Sequence, residues 1–280
     1  MARVPAPSSA VFAEYVRAGQ PVVLAAAVRH WTAVSSWSTD YLRARVGAKL
    51  VPVEIRSLGN LDQNARFEEI AFETYLGHME AGRKEYFLSN QKLEEVLPEL
   101  ANDVARPSVL SEGNPYVFFG KDTFAAMHYH ATAQAMLCQV VGKKRLLLFS
   151  PEDFRRIYPE SWFSPRFIWS RVDFSQPEPD FARFPALRQA QPYECLLEPG
   201  DALFIPIHWW HAAYGLDCSF SISYFWRAAW REWRLPSPGI RSFVGHRLDQ
   251  AIYTRAQRIK ALESFYYWLR RRGRATPTAS

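Results

Sequence analysis

From Pro115 to Trp226 turn signals cut the sequence into short apolar runs, and this cadence limits the folds open to the chain more than any other feature. Tyr116–Phe119 ends at Gly120. Residues 124–130 follow, then 135–141 ending at Gly142, then Lys144–Phe149 ending at Ser150-Pro151. Tyr193–Leu197 leads into Glu198-Pro199-Gly200-Asp201, a strong turn. Ala202–Pro206, Trp210–Tyr214 and Phe220–Trp226 complete the series. Short strands at even spacing predict a closed or double-sheet, mainly β architecture. Residues 160–192 form a long connection rich in Pro and aromatics, and loops of that length often line a site.

The flanks have another texture. Residues 1–114 read as mixed α and β. Ser8 or Ser9 caps a helix through Phe12, Tyr15 and Val16, stopped at Gly19-Gln20-Pro21. Val22–Val28 reads as a buried strand, Ser38 opens a helix over Tyr41–Val46, and Leu50–Ile55 alternates as a half-buried strand does. Residues 57–70 read as a loop, Phe72–Met79 as a helix, Tyr86–Leu88 as a strand and Leu93–Leu100 as a helix. Beyond Trp226, residues Leu248, Ile252, Ala256, Ile259, Leu262, Tyr266 and Leu269 step by three and four, giving an amphipathic helix of about twenty residues. Its apolar stripe can dock on its own body or on a second copy, and a homodimer is expected. The chain is thus expected to be one domain: an α/β flank (1–114), a β core (115–227), a C-terminal helical segment (228–270) and a basic tail (271–280).

Composition narrows the classes. A chain with 48% hydrophobic and 22% charged residues is globular, not disordered. Net charge is +6, but residues 241–280 alone carry nine basic and two acidic groups, a balance of +7, leaving −1 on the first 240. A nucleic-acid partner such as tRNA would therefore be gripped by the Arg270-Arg271-Arg272-Gly273-Arg274 end. Three cysteines cannot build a disulfide framework and suit a reducing compartment. The longest apolar stretch, Pro21–Val28, is far too short to span a membrane, and the first residues lack the apolar core of a secretion signal. A cytoplasmic protein without membrane contact is expected.

The histidines carry the chemistry. His128-Tyr129-His130 lies in an expected strand, so both imidazoles face one side. His211 follows about eighty residues later, after the Gly200-Asp201 turn. Together they can supply three facial ligands to one metal, with positions left open for catalysis. Tyr129, Trp209, Trp210 and Trp226 lie beside these residues in sequence and are expected to wall a substrate pocket.

Several ordered motifs extend this pattern. They include Cys138-Gln139-Val140-Val141-Gly142-Lys143-Lys144-Arg145, Leu148-Phe149-Ser150-Pro151, Val172-Asp173-Phe174 and Arg183-Phe184-Pro185. The last block runs Leu197-Glu198-Pro199-Gly200-Asp201-Ala202-Leu203-Phe204-Ile205-Pro206, then Trp209-Trp210-His211 and Phe225-Trp226. In these motifs the chain resembles the cupin-like JmjC family of Fe(II)/2-oxoglutarate oxygenases, including its factor-inhibiting-HIF asparaginyl hydroxylase and tRNA wybutosine hydroxylase branches. The resemblance implies a double-stranded β-helix, or jelly roll. It implies Fe(II) held at His128 and His211, with 2-oxoglutarate and O2 as cosubstrates. It matches Lys144 to the lysine that pairs with the far carboxylate of 2-oxoglutarate. A strand lysine facing a metal site needs a counter-anion in any case.

The sequence departs from the family at five places. His130 stands where the family has Asp, which leaves the site one unit more positive. The stretch from His128 to Gly142 is one residue longer, an excess that a β-bulge near Ala131–Ala135 can absorb. Ala125 replaces a common hydroxyl. Gln134 or Ala135, and Ser223, replace common asparagines, so Gln134 and Ser223 are expected to help bind the cosubstrate. The leading reading is an Fe(II)/2-oxoglutarate hydroxylase acting on a protein or peptide side chain, with a tRNA nucleoside next. The alternatives are a three-histidine metal cupin that does not use 2-oxoglutarate, and a non-catalytic binding module.

Overall fold

Two long strands organise the molecule. The computed structural model describes residues 1–56, 66–161, 164, 166–233 and 238–247. Its strands are β1 (Ala2–Pro5), β2 (Val22–Ala25), β3 (Leu50–Ile55), β4 (Arg66–Ala71), β5 (Tyr86–Lys92) and β6 (Asn114–Lys121). They continue with β7 (Phe124–His128), β8 (Ala133–Phe149), β9 (Pro192–Leu197), β10 (Ala202–Ile205) and β11 (Trp210–Arg227). Helices are α1 (Ser9–Ala18), α2 (Thr32–Ser36), α3 (Thr39–Val46), α4 (Phe72–Glu80), α5 (Leu93–Val96) and α6 over residues 239–247.

The runs on either side of Gly142 form one strand, β8, and the last two runs likewise merge into β11. The reason is local. Gly142 turns the chain at φ 67° without ending the pairing, and a Cβ there would sit 1.8 Å from the carbonyl oxygen of Cys218. Only glycine fits that corner. β8 and β11 stay antiparallel from Trp210↔Phe149 to Arg227↔Ala133, with register shifts between Leu216 and Ser221 that sharpen the bend. Before the corner β8 pairs with β10, and after it with β9. The first half of β11 pairs with β7 and the second with β6. All eleven strands are hydrogen-bonded into one sheet, folded at the corner, and each long strand runs through both of its parts. The larger sheet follows the path β1-β2-β10-β8-β11-β6-β5-β3-β4, and in the smaller sheet β7 and β9 flank the other halves of β11 and β8. The result is the mainly β jelly roll that the cadence predicts.

The flank packs on the outer face of the larger sheet. Ser8 caps α1 by accepting from the Val11 amide, and Ser38 caps α3 by accepting from Tyr41. Phe12, Trp31, Trp37 and Tyr75 bury against Phe119, Phe204 and Phe220 of the sheet. Trp37 and Tyr41 both donate to buried Asp103 at 2.9 Å, so the aromatic helices are also tied by polar contacts. Asp201 fixes the turn before β10 by accepting from Arg3 and from the Ala26 and Glu198 amides. Two expectations change here. Residues 66–71 are an edge strand, β4, paired with β3, although their exposed, charged sequence reads as loop. Leu93–Leu100 is one helical turn followed by a 3-10 turn, because Pro98 cannot continue the first helix. No described helix is long and apolar enough to cross a membrane. The amphipathic stripe 248–269 and the arginine run lie outside the described residues.

Candidate metal centre

β7 ends on His128, and its antiparallel partner in β11 is His211. The ladder thus sets these two side by side, ring centroids 4.3 Å apart. His130 comes from just beyond the strand, with its ring 4.6 Å from that of His211. One ligand atom from each of the three lies within 4.8 Å of the others. The expected strand 124–130 stops at His128, because the Tyr129 amide donates to Ile168 instead of to β11. The chain bends at Ala131–Thr132 and enters β8 at Ala133, which pairs evenly with β11 as far as Gln139↔Ser221. No register shift falls at Ala131–Ala135, where the sequence leads one to expect the bulge; the irregularity between His128 and Gly142 lies further along, where Phe220 faces Val141 and Ser221 faces Gln139, leaving Val140 as the extra residue of β8.

Backbone carbonyls set the tautomers. His128 Nδ1 is 2.7 Å from the Ala126 oxygen, and His211 Nδ1 is 3.0 Å from the Trp209 oxygen. A carbonyl only accepts, so both Nδ1 atoms carry hydrogen and both Nε2 atoms keep a lone pair. The buried His130 Nδ1 has no hydrogen-bond partner among the described residues. Burial pushes all three imidazoles down: His130 to about 3, with His128 adding repulsion, and His211 well below its usual range. They are neutral at pH 7, the form that binds metal. Three neutral imidazoles with converging ring nitrogens, one of them carrying a buried nitrogen left without a described partner, fit a divalent transition metal.

The histidines share a cavity of about 80 Å³ with Lys144, Ser223, Thr123, Ala125 and the rings of Phe87, Phe118 and Phe225. Lys144 is buried and donates 2.5 Å to Ser221 Oγ. Ser221 in turn donates to Gln139, whose amide donates to Ser219 and the Val141 carbonyl. Burial pushes the Lys144 ammonium down to about 7. No described ion pair includes it, whereas its exposed neighbour Lys143 pairs with Glu198. A buried lysine whose described partner is a hydroxyl calls for an anion in the cavity.

Other residues expected at the site lie elsewhere. Gln134 is buried but bonds Glu232 at 2.8 Å, away from the cavity. Tyr129 and Trp210 pack with Phe149 and Phe154 in the core on the outer side of the smaller sheet. Tyr129 alternates with His128 and His130, so its ring points to the opposite face. Trp209 donates to the Gly19 carbonyl and lines a separate cavity, while Trp226 stacks on Phe204. Sequence reading missed Thr123, Phe118 and Ser221, and missed Trp169, whose ring stacks on His128 at 5.0 Å. Alternation with Ser223 along β11 could have found Ser221. Nothing in the sequence of the long loop marks Trp169.

A family model described as a cupin-like domain matches residues 8–232. The chain is 29% identical over 228 residues to lysine-specific demethylase 8 of Xenopus tropicalis, covering 76% of this chain and 49% of that protein. It is 30% identical over 226 residues to Jumonji C domain-containing protein 5 of Drosophila melanogaster, covering 75% and 55%. It is 25% identical over 269 residues to human tRNA wybutosine-synthesizing protein 5, covering 83% and 81%. The chain thus spans about half the length of the first two relatives and most of the third.

Proposed function

Since the chain belongs to the cupin-like domain family, we propose that it is an Fe(II)- and 2-oxoglutarate-dependent oxygenase that hydroxylates a side chain of a protein or peptide. The observation that carries this reading is a buried, carboxylate-free Lys144 in the same cavity as three neutral histidines. His128, His130 and His211 would hold the metal. Bound there with 2-oxoglutarate, it would supply O2 activation coupled to oxidative decarboxylation of the cosubstrate.

The chain's own residues do the rest. Carbonyls of Ala126 and Trp209 hold the His128 and His211 rings with Nε2 toward the shared centre. Ser221 holds the Lys144 ammonium, which would pair with the far carboxylate of the cosubstrate. The cosubstrate is a dianion, so it also offsets the charge that His130 fails to neutralise. Phe87, Phe118 and Phe225 line the cavity and would limit water around a bound cosubstrate.

The test is succinate formation by the full chain with Fe(II), O2 and 2-oxoglutarate against a peptide panel. Metal uptake without any 2-oxoglutarate turnover or binding would favour a three-histidine cupin that does not use this cosubstrate. A second reading, hydroxylation of a tRNA nucleoside, is favoured by the 81% coverage of the wybutosine relative and by the arginine-rich end of the sequence. Turnover with tRNA and not with peptides would select it.

A further inference from the structure

The helix α6 lies beyond the residues that the family model matches, yet one face of it is built against the metal centre's outer wall. Arg241 is buried, 2% exposed. Its guanidinium donates to the carbonyl of Phe167 at 2.8 Å and to that of Glu160, and it lies 5.7 Å over the Phe154 ring. One turn later, Gly245 lets the helix sit flush on the Phe167 ring, since a Cβ there would lie 2.7 Å from it. Arg241 and Gly245 are four apart and so share a face.

The two carbonyls that Arg241 holds flank Trp169. The Glu160 amide donates to the Trp169 carbonyl, and the Trp169 amide donates to Arg166. The neighbours of Trp169 are laced to the strand that carries the first histidine: Tyr129 donates to Ile168, and Ser170 donates to Met127. Trp169 then lies on the His128 imidazole with 29° between planes. The Ala126 carbonyl fixes where Nδ1 points, but it leaves rotation about that hydrogen bond open. The indole stacked on the ring face closes that freedom.

We propose, resting on the metal reading above, that Arg241 is a positioning residue for the metal centre: it holds the Glu160 and Phe167 carbonyls so that Trp169 fixes the plane of the His128 ring. The residues that bind metal all lie within the family span, and α6 adds an outer brace. Outer-shell partners of metal-ligating histidines commonly tune affinity by roughly 10–100-fold.

The experiment uses the full chain, free of metal, with ¹⁵N-labelled histidine, followed by Co(II) titration. In Arg241→Met the His128 ring resonances should shift as the Trp169 ring current changes, and by more than those of His211. Co(II) affinity should fall on the order of tenfold. Arg241→Lys should restore part of both. Gly245→Ala keeps Arg241 but presses a methyl into Phe167, and it should give the same two signatures. In Co(II) affinity, Trp169→Leu combined with Arg241→Met should be no worse than Trp169→Leu alone, because the proposal routes the effect of Arg241 on the metal centre through Trp169. A lowered Tm with unchanged His128 resonances and unchanged Co(II) affinity in both Arg241→Met and Gly245→Ala would overturn the proposal. Should Arg241→Met not fold, Gly245→Ala decides alone. If the unmodified chain takes up no Co(II), the metal reading fails by itself, and the His128 resonances still decide the role of Arg241.

Discussion

Lys144 donates a 2.5 Å hydrogen bond to Ser221 from one central strand to the other, and no described carboxylate pairs with it. The ammonium is therefore held in place at an energetic disadvantage, as binding groups often are. Lys144→Met should raise Tm at pH 7 by removing a desolvated charge. The same substitution should abolish 2-oxoglutarate binding measured by calorimetry. A lower Tm would show that the lysine is already compensated in the free protein.

The depressed lysine also gives a pH signature. Free Lys144 loses its proton as pH rises through about 7, and a bound dianion requires the protonated form. Affinity for 2-oxoglutarate should weaken above pH 7, by up to about tenfold per unit. A dissociation constant flat from pH 7 to 9 would contradict this. Stability of the free protein runs the other way. Above about 7 the unfolded chain keeps the lysine proton that the folded one has lost, so this group makes the protein more stable as pH rises toward 10.5.

The histidines act in acid. Below pH 6.5 an unfolded chain protonates these imidazoles, while the folded one holds them neutral down toward about 3 at His130. Metal-free protein should lose stability as pH falls below 6.5, by up to ~1.4 kcal/mol per unit for each histidine. His130→Phe should flatten that slope in chemical denaturation. His130→Ala should weaken Co(II) binding by more than the roughly 10–100-fold of outer-shell changes. His130→Asp should bind Fe(II) with one less net charge and reduce the preference for Cu(II) or Ni(II).

Gly142→Ala tests the corner. The left-handed backbone alone disfavours alanine by roughly 1–3 kcal/mol, and the Cys218 carbonyl leaves no room for the methyl. Denaturation should show a large loss of stability or insoluble protein. A variant within 1 kcal/mol of the parent, about the size of an ordinary substitution, would mean that the strands bend elsewhere.

Trp210 and Trp226 separate packing from recognition. Both pack in core clusters away from the histidine cavity. Trp210→Ala should destabilise by about 3–5 kcal/mol, with 2-oxoglutarate affinity of the folded fraction unchanged. A change in affinity without loss of stability would return it to the pocket wall.

The strands were legible because Gly142, Gly200 and the Ser150-Pro151 and Glu198-Pro199 pairs mark turns whatever the tertiary context. What the sequence could not mark was whether a glycine ends a strand or bends it. Gly142 bends, because its partner β11 bends at the same level, and that is a relation between residues more than seventy apart. The histidines were legible by spacing, although His130 reaches the others from outside the ladder, not along it. The tryptophans misled because nearness in sequence is not facing: Tyr129 sits between two candidate ligands and points to the opposite core. Trp169 was invisible, since only the fold brings the long loop over His128.

The β8–β11 pair sets the dynamics of the site. It carries Lys144, Ser221, Ser223 and His211 on two strands that stay paired through both sheets. Separating those residues means parting the two most central strands of the molecule. The pocket therefore has no melting transition of its own. Amide exchange at Lys144 and His211 should report opening of the whole protein, and any breathing that admits substrate must come from the walls brought by loops, such as the one bearing Trp169.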